Sequence, residues 1–137
     1  MGAVRELRLV LTVEDFDRAL AFYRDALGLE EFDAWEAQAG RVVILDAGRA
    51  TIELVDERQA QEIDRIEVGT RVAGPVRLAL EVADSAATAD RLAGAGGELI
   101  AGPVVTPWRD CNVRMQAPDG MQLTLFTVLG DEPELRD

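Results

Sequence analysis

From Arg8 to Val13 the chain alternates: Leu9, Leu11 and Val13 fall on one set of positions, Arg8, Val10 and Thr12 on the other. A period of two marks a strand with one face in a core. After Asp15 the period changes. Phe16, Leu20, Tyr23 and Leu27 recur at helical spacing, and Gly28 supplies a stop. The pattern predicts a strand over about 5–13, a helix over about 15–27, and strands over about 30–37, 41–46 and 50–55. Tyr23 is explained by packing of this helix on a sheet.

The order then recurs. Arg77-Leu78-Ala79-Leu80-Glu81-Val82-Ala83-Asp84 overlays Arg8 to Asp15 at a distance of 69 residues, with Arg, Leu, Leu, Val and Asp coinciding. A helix near 84–94 follows, capped by Asp84 or Ser85 and ended by Gly94, Gly96 and Gly97, and then strands near 98–101, 110–117 and 121–128. Residues 112–126 overlay 41–55 at a distance of 71, each reading strand, turn, strand. The turns are Asp46-Ala47-Gly48-Arg49 and Pro118-Asp119-Gly120, and Asp-Gly is a hairpin signal. The fold expected is α+β: two tandem βαβββ modules, 1–55 and 76–129, in one structural domain. Residues 56–75 form a polar connector, with a short helix possible over 56–66, and 130–137 form an acidic tail.

Composition narrows the chemistry through absences. The 137 residues include no His and no Lys, so all 14 basic residues are Arg; Cys111, Ser85, Tyr23 and Asn112 are each the sole residue of their type. Without His there is no Ser-His-Asp or Cys-His catalysis and no imidazole metal ligand. Without Lys there is no Schiff base and no anchor for pyridoxal phosphate. One Cys makes no intrachain disulfide and no Cys-rich zinc site. With no base beside it, Cys111 reads as a buried structural thiol, and an unpaired Cys suits a reducing compartment. The net charge is −12, which disfavours nucleic acid and anionic membrane surfaces as partners. The N-terminus does not read as a secretory signal, and no apolar run approaches the roughly 20 residues of a membrane helix. The expected location is the cytoplasm. Gly94-Ala95-Gly96-Gly97 closes a helix instead of opening one, and so is no phosphate cradle.

Val13-Glu14-Asp15, followed by Ala19-Leu20-Ala21-Phe22-Tyr23-Arg24-Asp25-Ala26-Leu27-Gly28-Leu29, resembles the opening of the vicinal oxygen chelate superfamily. That superfamily includes glyoxalase I, bleomycin-resistance proteins and extradiol dioxygenases. Ala117-Pro118-Asp119-Gly120 with Leu123-Thr124-Leu125 resembles its closing hairpin, so the resemblance spans roughly 4–128. It implies a cup-shaped mixed sheet with helices on its outer face, and a homodimer whose sites are built by one chain or by both. It also implies four metal-ligand positions facing the cup, which fall on Arg8, Glu53, Arg77 and Thr124. Of these only Glu53 binds a divalent cation well, and a guanidinium repels one. The expectation is no cofactor and no metal; the alternative is a weak oxygen site in which another carboxylate, such as Glu81, joins Glu53.

Alternation places Val10 and Thr12 beside Arg8 in the cup, Ala79 and Glu81 beside Arg77, Thr51 and Val55 beside Glu53, and Gln122 and Phe126 beside Thr124. Two readings follow. Arg8 or Arg77 binds an anionic or carbonyl-bearing ligand, with Glu53 as partner or acid/base. Alternatively, Arg8 and Arg77 pair with Glu53 and Glu81 and fill the metal's place. The resemblance puts Trp108 on a loop over the cup mouth, where it stacks on a planar ligand or packs at a dimer contact. Trp35 lines the pocket or forms wall or interface. Arg114, which overlays Val43 at the distance of 71, faces inward or, like Arg109, pairs with surface acids. The candidate ligand-binding residues are thus Arg8, Val10, Thr12, Trp35, Glu53, Arg77, Glu81, Trp108, Arg114 and Thr124, and Glu53 is the candidate catalytic group. The function expected is metal-independent binding of an apolar or aromatic small molecule, with or without a carboxylate. The alternative is a lyase, isomerase or dioxygenase with an atypical metal site or with Glu53 as general base.

Overall fold

A computed structural model describes residues 2–37 and 39–130; most of the acidic tail, 131–137, lies outside the described residues. The first module runs β1 (Val4–Thr12), α1 (Phe16–Leu20), a π-helical continuation (Ala21–Ala26), β2 (Glu30–Ala37), β3 (Gly40–Asp46) and β4 (Thr51–Val55). The connector holds α2 (Glu57–Glu67). The second module runs β5 (Val76–Val82), α3 (Ser85–Gly94), β6 (Glu98–Val105), β7 (Asp110–Gln116) and β8 (Gln122–Val128). β6 thus continues four residues past the predicted end at 101.

All eight strands join one sheet in the order β2-β3-β4-β1-β5-β8-β7-β6. β1 and β5 pair antiparallel at its centre; β4 runs parallel to β1, and β8 parallel to β5. The two modules of a single chain therefore complete one cup. Each helix opens on an Asp that follows a strand: Asp15 accepts from the Arg18 N–H at 3.0 Å, Asp56 from Gln59 at 2.8 Å, and Asp84 from Ala87 at 3.0 Å.

The strand alternation separates three cores. On the outer face, Phe16 and Leu20 of α1 pack on Val43, Leu45 and Leu54, and Ala89 of α3 packs on Val82, Val113, Met115 and Leu125. The third core lies inside the cup, where Val10, Val42, Ile44, Val55, Ala79 and Phe126 meet Ala60 and Ile63 of α2. The module helices α1 and α3 lie on the outer face as expected, and the connector helix α2, given no place by the sequence, lies across the hollow of the sheet. The connector reads as polar because the face it buries carries Gln59, Asp64 and Glu67 beside Ala60 and Ile63. Its N-terminus abuts the start of β3. A Cβ on Gly40, whose φ is +125°, would stand 2.4 Å from Asp56 Oδ1 and 2.5 Å from the Gln59 nitrogen.

Candidate functional site

The central strands set two rows of side chains across the cup floor. In one, Val10 lies in register with Glu53 on one side and Arg77 on the other; in the next, Arg8 is flanked by Thr51 and Ala79, and Ala79 by Thr124.

Arg8 is held within its own strand. Its Nε and Nη2 donate to the two carboxylate oxygens of Glu6 at 2.8 and 3.2 Å, and the Thr51 hydroxyl donates to the same carboxylate at 2.9 Å. Glu53 Oε1 stands 3.8 Å from Arg8 Nη1, and the guanidinium lies over the Phe126 ring at 5.0 Å. Burial works against the charge of Arg8, but Glu53 and Glu6 outweigh it and hold the guanidinium above its ordinary pKa. Glu6 and Glu53 together neutralise it: the expected pairing with Glu53 is present, and among the described residues none forms with Glu81.

Arg77 is placed differently. It is 8% exposed, its Nη1 donates to the Thr124 hydroxyl at 2.8 Å, and among the described residues no carboxylate oxygen comes within 4.0 Å of it. Burial pushes its pKa down, with Glu67 the largest influence in the other direction.

Arg114 is fully buried between the sheet and α2. It donates to Asp64 Oδ1 at 2.8 Å, to Glu67 Oε1 at 2.7 Å, to the Thr124 hydroxyl at 3.1 Å and to Gln122 Oε1 at 3.2 Å. Asp64 Oδ2 also accepts from the N–H groups of Val72 at 2.8 Å and Ala73 at 2.9 Å. Burial raises the Asp64 pKa, but those two amides and Arg114 more than offset it and the carboxyl ends below its usual value. Arg114 pairs with Thr124 across its hairpin as Ile44 pairs with Glu53 across the other. Its counterpart is therefore Ile44. The overlay on Val43 slips by one because the second hairpin is one residue longer, closing from Ala117 to Met121 where the first closes from Ala47 to Ala50.

A hollow of about 50 Å³ remains between α2 and the floor, opening to a mouth that brings the unfilled space, solvent side included, to about 490 Å³. Of the ten candidate ligand-binding residues, Arg8, Trp35, Glu53, Arg77, Trp108 and Thr124 line it. Four candidates do not. Val10 is buried in the core beneath the floor. Thr12 sits at the end of its strand, in a rim groove with Arg71 and Pro75. Glu81 lies beyond the other end of the cup, beside Arg5 and Glu6. Arg114 is covered by α2. Ala79 and Phe126, placed in the cup by alternation, line it too, and Gln59, Ile63 and Glu67 of α2 with Asp110 and Asn112 of β7 join them without a signal in the sequence reading. Counting back from Arg114 by twos would have given Asn112 and Asp110.

Among the described residues, the Glu53 carboxylate accepts no hydrogen bond, and Nε and Nη2 of Arg77 donate none. Among the described residues, the buried side-chain atoms sealed without a partner are Arg109 Nε and Asn112 Oδ1, so the open groups of Glu53 and Arg77 face the hollow. The donor set does not suit a divalent metal: two of the four family positions are guanidiniums, and no three carboxylates or thiols among the described residues are grouped to hold an ion.

The family model described as Glyoxalase/Bleomycin resistance protein/Dioxygenase superfamily matches residues 7–125. A comparison with curated protein sequences gives no match. Among solved structures, methylmalonyl-CoA epimerase from Mycobacterium tuberculosis is similar at 22% identity and TM-score 0.65, over 95% of this chain and 92% of that one. A variant of the Streptomyces coelicolor methylmalonyl-CoA epimerase, in complex with 2-nitronate-propionyl-CoA, is similar at 20% identity and TM-score 0.65, over 94% of this chain and 100% of that one. A glyoxalase/bleomycin resistance protein/dioxygenase superfamily member from Vibrio splendidus 12B01 is similar at 17% identity and TM-score 0.61, over 89% of this chain and 97% of that one. At these identities the likeness is one of fold. Among the described residues no helix is long and apolar enough to cross a membrane.

Proposed function

The chain belongs to the Glyoxalase/Bleomycin resistance protein/Dioxygenase superfamily, and from that premise we propose that it binds a small organic molecule in its cup without a metal. The ligand enters end-on. Its polar end lies between Arg77 and Glu53, and its apolar or aromatic body lies at the mouth beside Trp35 and Trp108. One observation carries this reading: a buried guanidinium with a single hydrogen bond and a buried carboxylate with none face the same hollow. Buried polar groups are normally satisfied, and a ligand that completes both supplies what the protein leaves open.

The hollow sets the scale. Sites for drug-sized ligands run to roughly 300–1,000 Å³, so at about 50 Å³ this one takes a group of a few heavy atoms and leaves the remainder at the mouth. The reading extends to a cytoplasmic homodimer, which exposed Phe32 on edge strand β2 and exposed Leu99 and Val105 on edge strand β6 support. Native mass spectrometry of the purified protein, followed by a denatured spectrum of the same sample, reads all three features. A dimer carrying a small organic mass and no metal is the expected result. A stoichiometric divalent metal overturns metal independence, and a monomer overturns the dimer.

A second reading is favoured by Glu53 itself, whose carboxylate accepts no hydrogen bond and can take a proton from a bound molecule. In that case the protein exchanges a ligand C–H with deuterium from D₂O, and Glu53→Gln abolishes the exchange while the thermal unfolding curve is kept. Absence of exchange in the unsubstituted protein leaves binding alone.

A further inference from the structure

We infer that the buried end of the ligand is a neutral group carrying a hydrogen-bond acceptor and a hydrogen-bond donor side by side, a carboxamide or its equivalent, and that Arg77 and Glu53 read its two halves. The inference rests on the binding reading above and names its ligand class.

Glu53 and Arg77 are in register with the same residue, Val10, on the strands to either side of it. Their backbones therefore stand two strand spacings apart, roughly 9.5 Å, with both side chains on the cup face. The two charges act on each other through the hollow, yet they make neither a hydrogen bond nor an ion pair within 4.0 Å. Each is more than nine-tenths buried. An arginine and a carboxylate in this relation have a gap between them that a small group can bridge. It must accept from Arg77 and donate to Glu53.

The surrounding charges select against the alternatives. An anion placed on Arg77 meets the Glu53 carboxylate, with Glu67 on the same wall; a cation placed on Glu53 meets Arg77. Either adds an unbalanced charge to a buried site. Arg8 is matched by carboxylates already in place, since Glu6 takes its Nε and Nη2 and its Nη1 stands 3.8 Å from Glu53. A neutral group with a carbonyl oxygen and an adjacent N–H, or an adjacent O–H, completes both residues and adds no charge. Its few heavy atoms suit a hollow of about 50 Å³, and an aromatic ring attached to it comes to the mouth where Trp35 and Trp108 lie.

The test uses four probes of one shape on the full chain, titrated by ligand-observed NMR: benzamide, benzoate, acetophenone and benzamidine. Benzamide is expected to bind best, by about tenfold over each of the others. Glu53→Gln removes the carboxylate that disfavours an anion, and the benzamide-to-benzoate preference is expected to fall by at least about tenfold. The ranking on the unsubstituted protein stands even if that variant does not fold. Equal affinities, or benzoate ahead of benzamide, overturn this inference and leave the binding reading in place. No binding of any probe at millimolar concentration overturns both.

Discussion

Arg8 on β1 and Arg77 on β5 occupy matching positions in the two halves of the cup, each near a residue of its module's last strand, Glu53 or Thr124. The difference between them is set two residues earlier in the chain, within β1 in the first case and just before β5 in the second. There Arg8 has Glu6, whose carboxylate takes two of its donors, and Arg77 has Pro75, which offers none. A similar exchange separates Ile44 from Arg114. In the first module the cup wall meets α2 through apolar contacts; in the second a guanidinium holds α2 by Asp64 and Glu67. The duplicated backbone has thus kept its register while its charges have divided. The second module anchors the helix through Arg114 and presents the open cation, and the first contributes the open carboxylate.

The largest effect expected from breaking this division is at Arg114. Arg114→Leu leaves buried Glu67 with Asn112 but no ion pair, and Asp64 with only Arg71 and two backbone amides, and a loss of about 3–5 kcal/mol in urea unfolding is expected. Arg8→Leu leaves Glu6 and Glu53 less deeply placed and is expected to cost less. Gly40→Ala comes next. Its added methyl has no room against the N-terminus of α2 and its φ is unfavourable, so a loss of about 1–3 kcal/mol is expected in the same measurement.

A third expectation concerns pH. The Asp64 carboxyl titrates lower folded than unfolded, so its contribution is fully present above the unfolded value, about 3.9, and is lost as the pH falls through the lower folded one. Asp64→Asn should flatten the acid limb of stability against pH below about 4. An acid limb unchanged by the substitution would show that the carboxyl is not held low. The smallest stability effect is expected at Arg77. Arg77→Met removes a buried charge that among the described residues has no ion pair within 4.0 Å, and its unfolding free energy should stay within about 1 kcal/mol of the unsubstituted protein or rise.

Much of this was legible in the sequence. Leu9, Leu11 and Leu54 on one face and Arg8, Val10 and Glu53 on the other follow from alternation, and the repeat aligned Arg8 with Arg77 and Glu53 with Thr124. The Asp residues at 15, 56 and 84 mark where helices begin. The place of α2 was not legible. Its inward face carries Asp64 and Glu67, so it reads as a solvated connector, and the Arg114 that neutralises them lies 50 and 47 residues further on. Nor does alternation say how far a strand runs past the cup. Thr12 and Glu81 share the inward faces of their strands but stand beyond the hollow, and only the register sets Glu6 opposite Glu81 and beside Arg8. The one-residue difference between the two hairpins shifted Arg114 onto Val43 in the overlay, and strand pairing was needed to return it to Ile44.

The arginine proposed to hold the ligand is Arg77 and not its match Arg8. The dissociation constant of benzamide for Arg77→Met and for Arg8→Met, titrated alongside the unsubstituted protein, separates the two. Affinity should fall by about tenfold or more for Arg77→Met and stay within about threefold for Arg8→Met. Equal losses in the two variants, or a larger loss for Arg8→Met, would contradict that assignment.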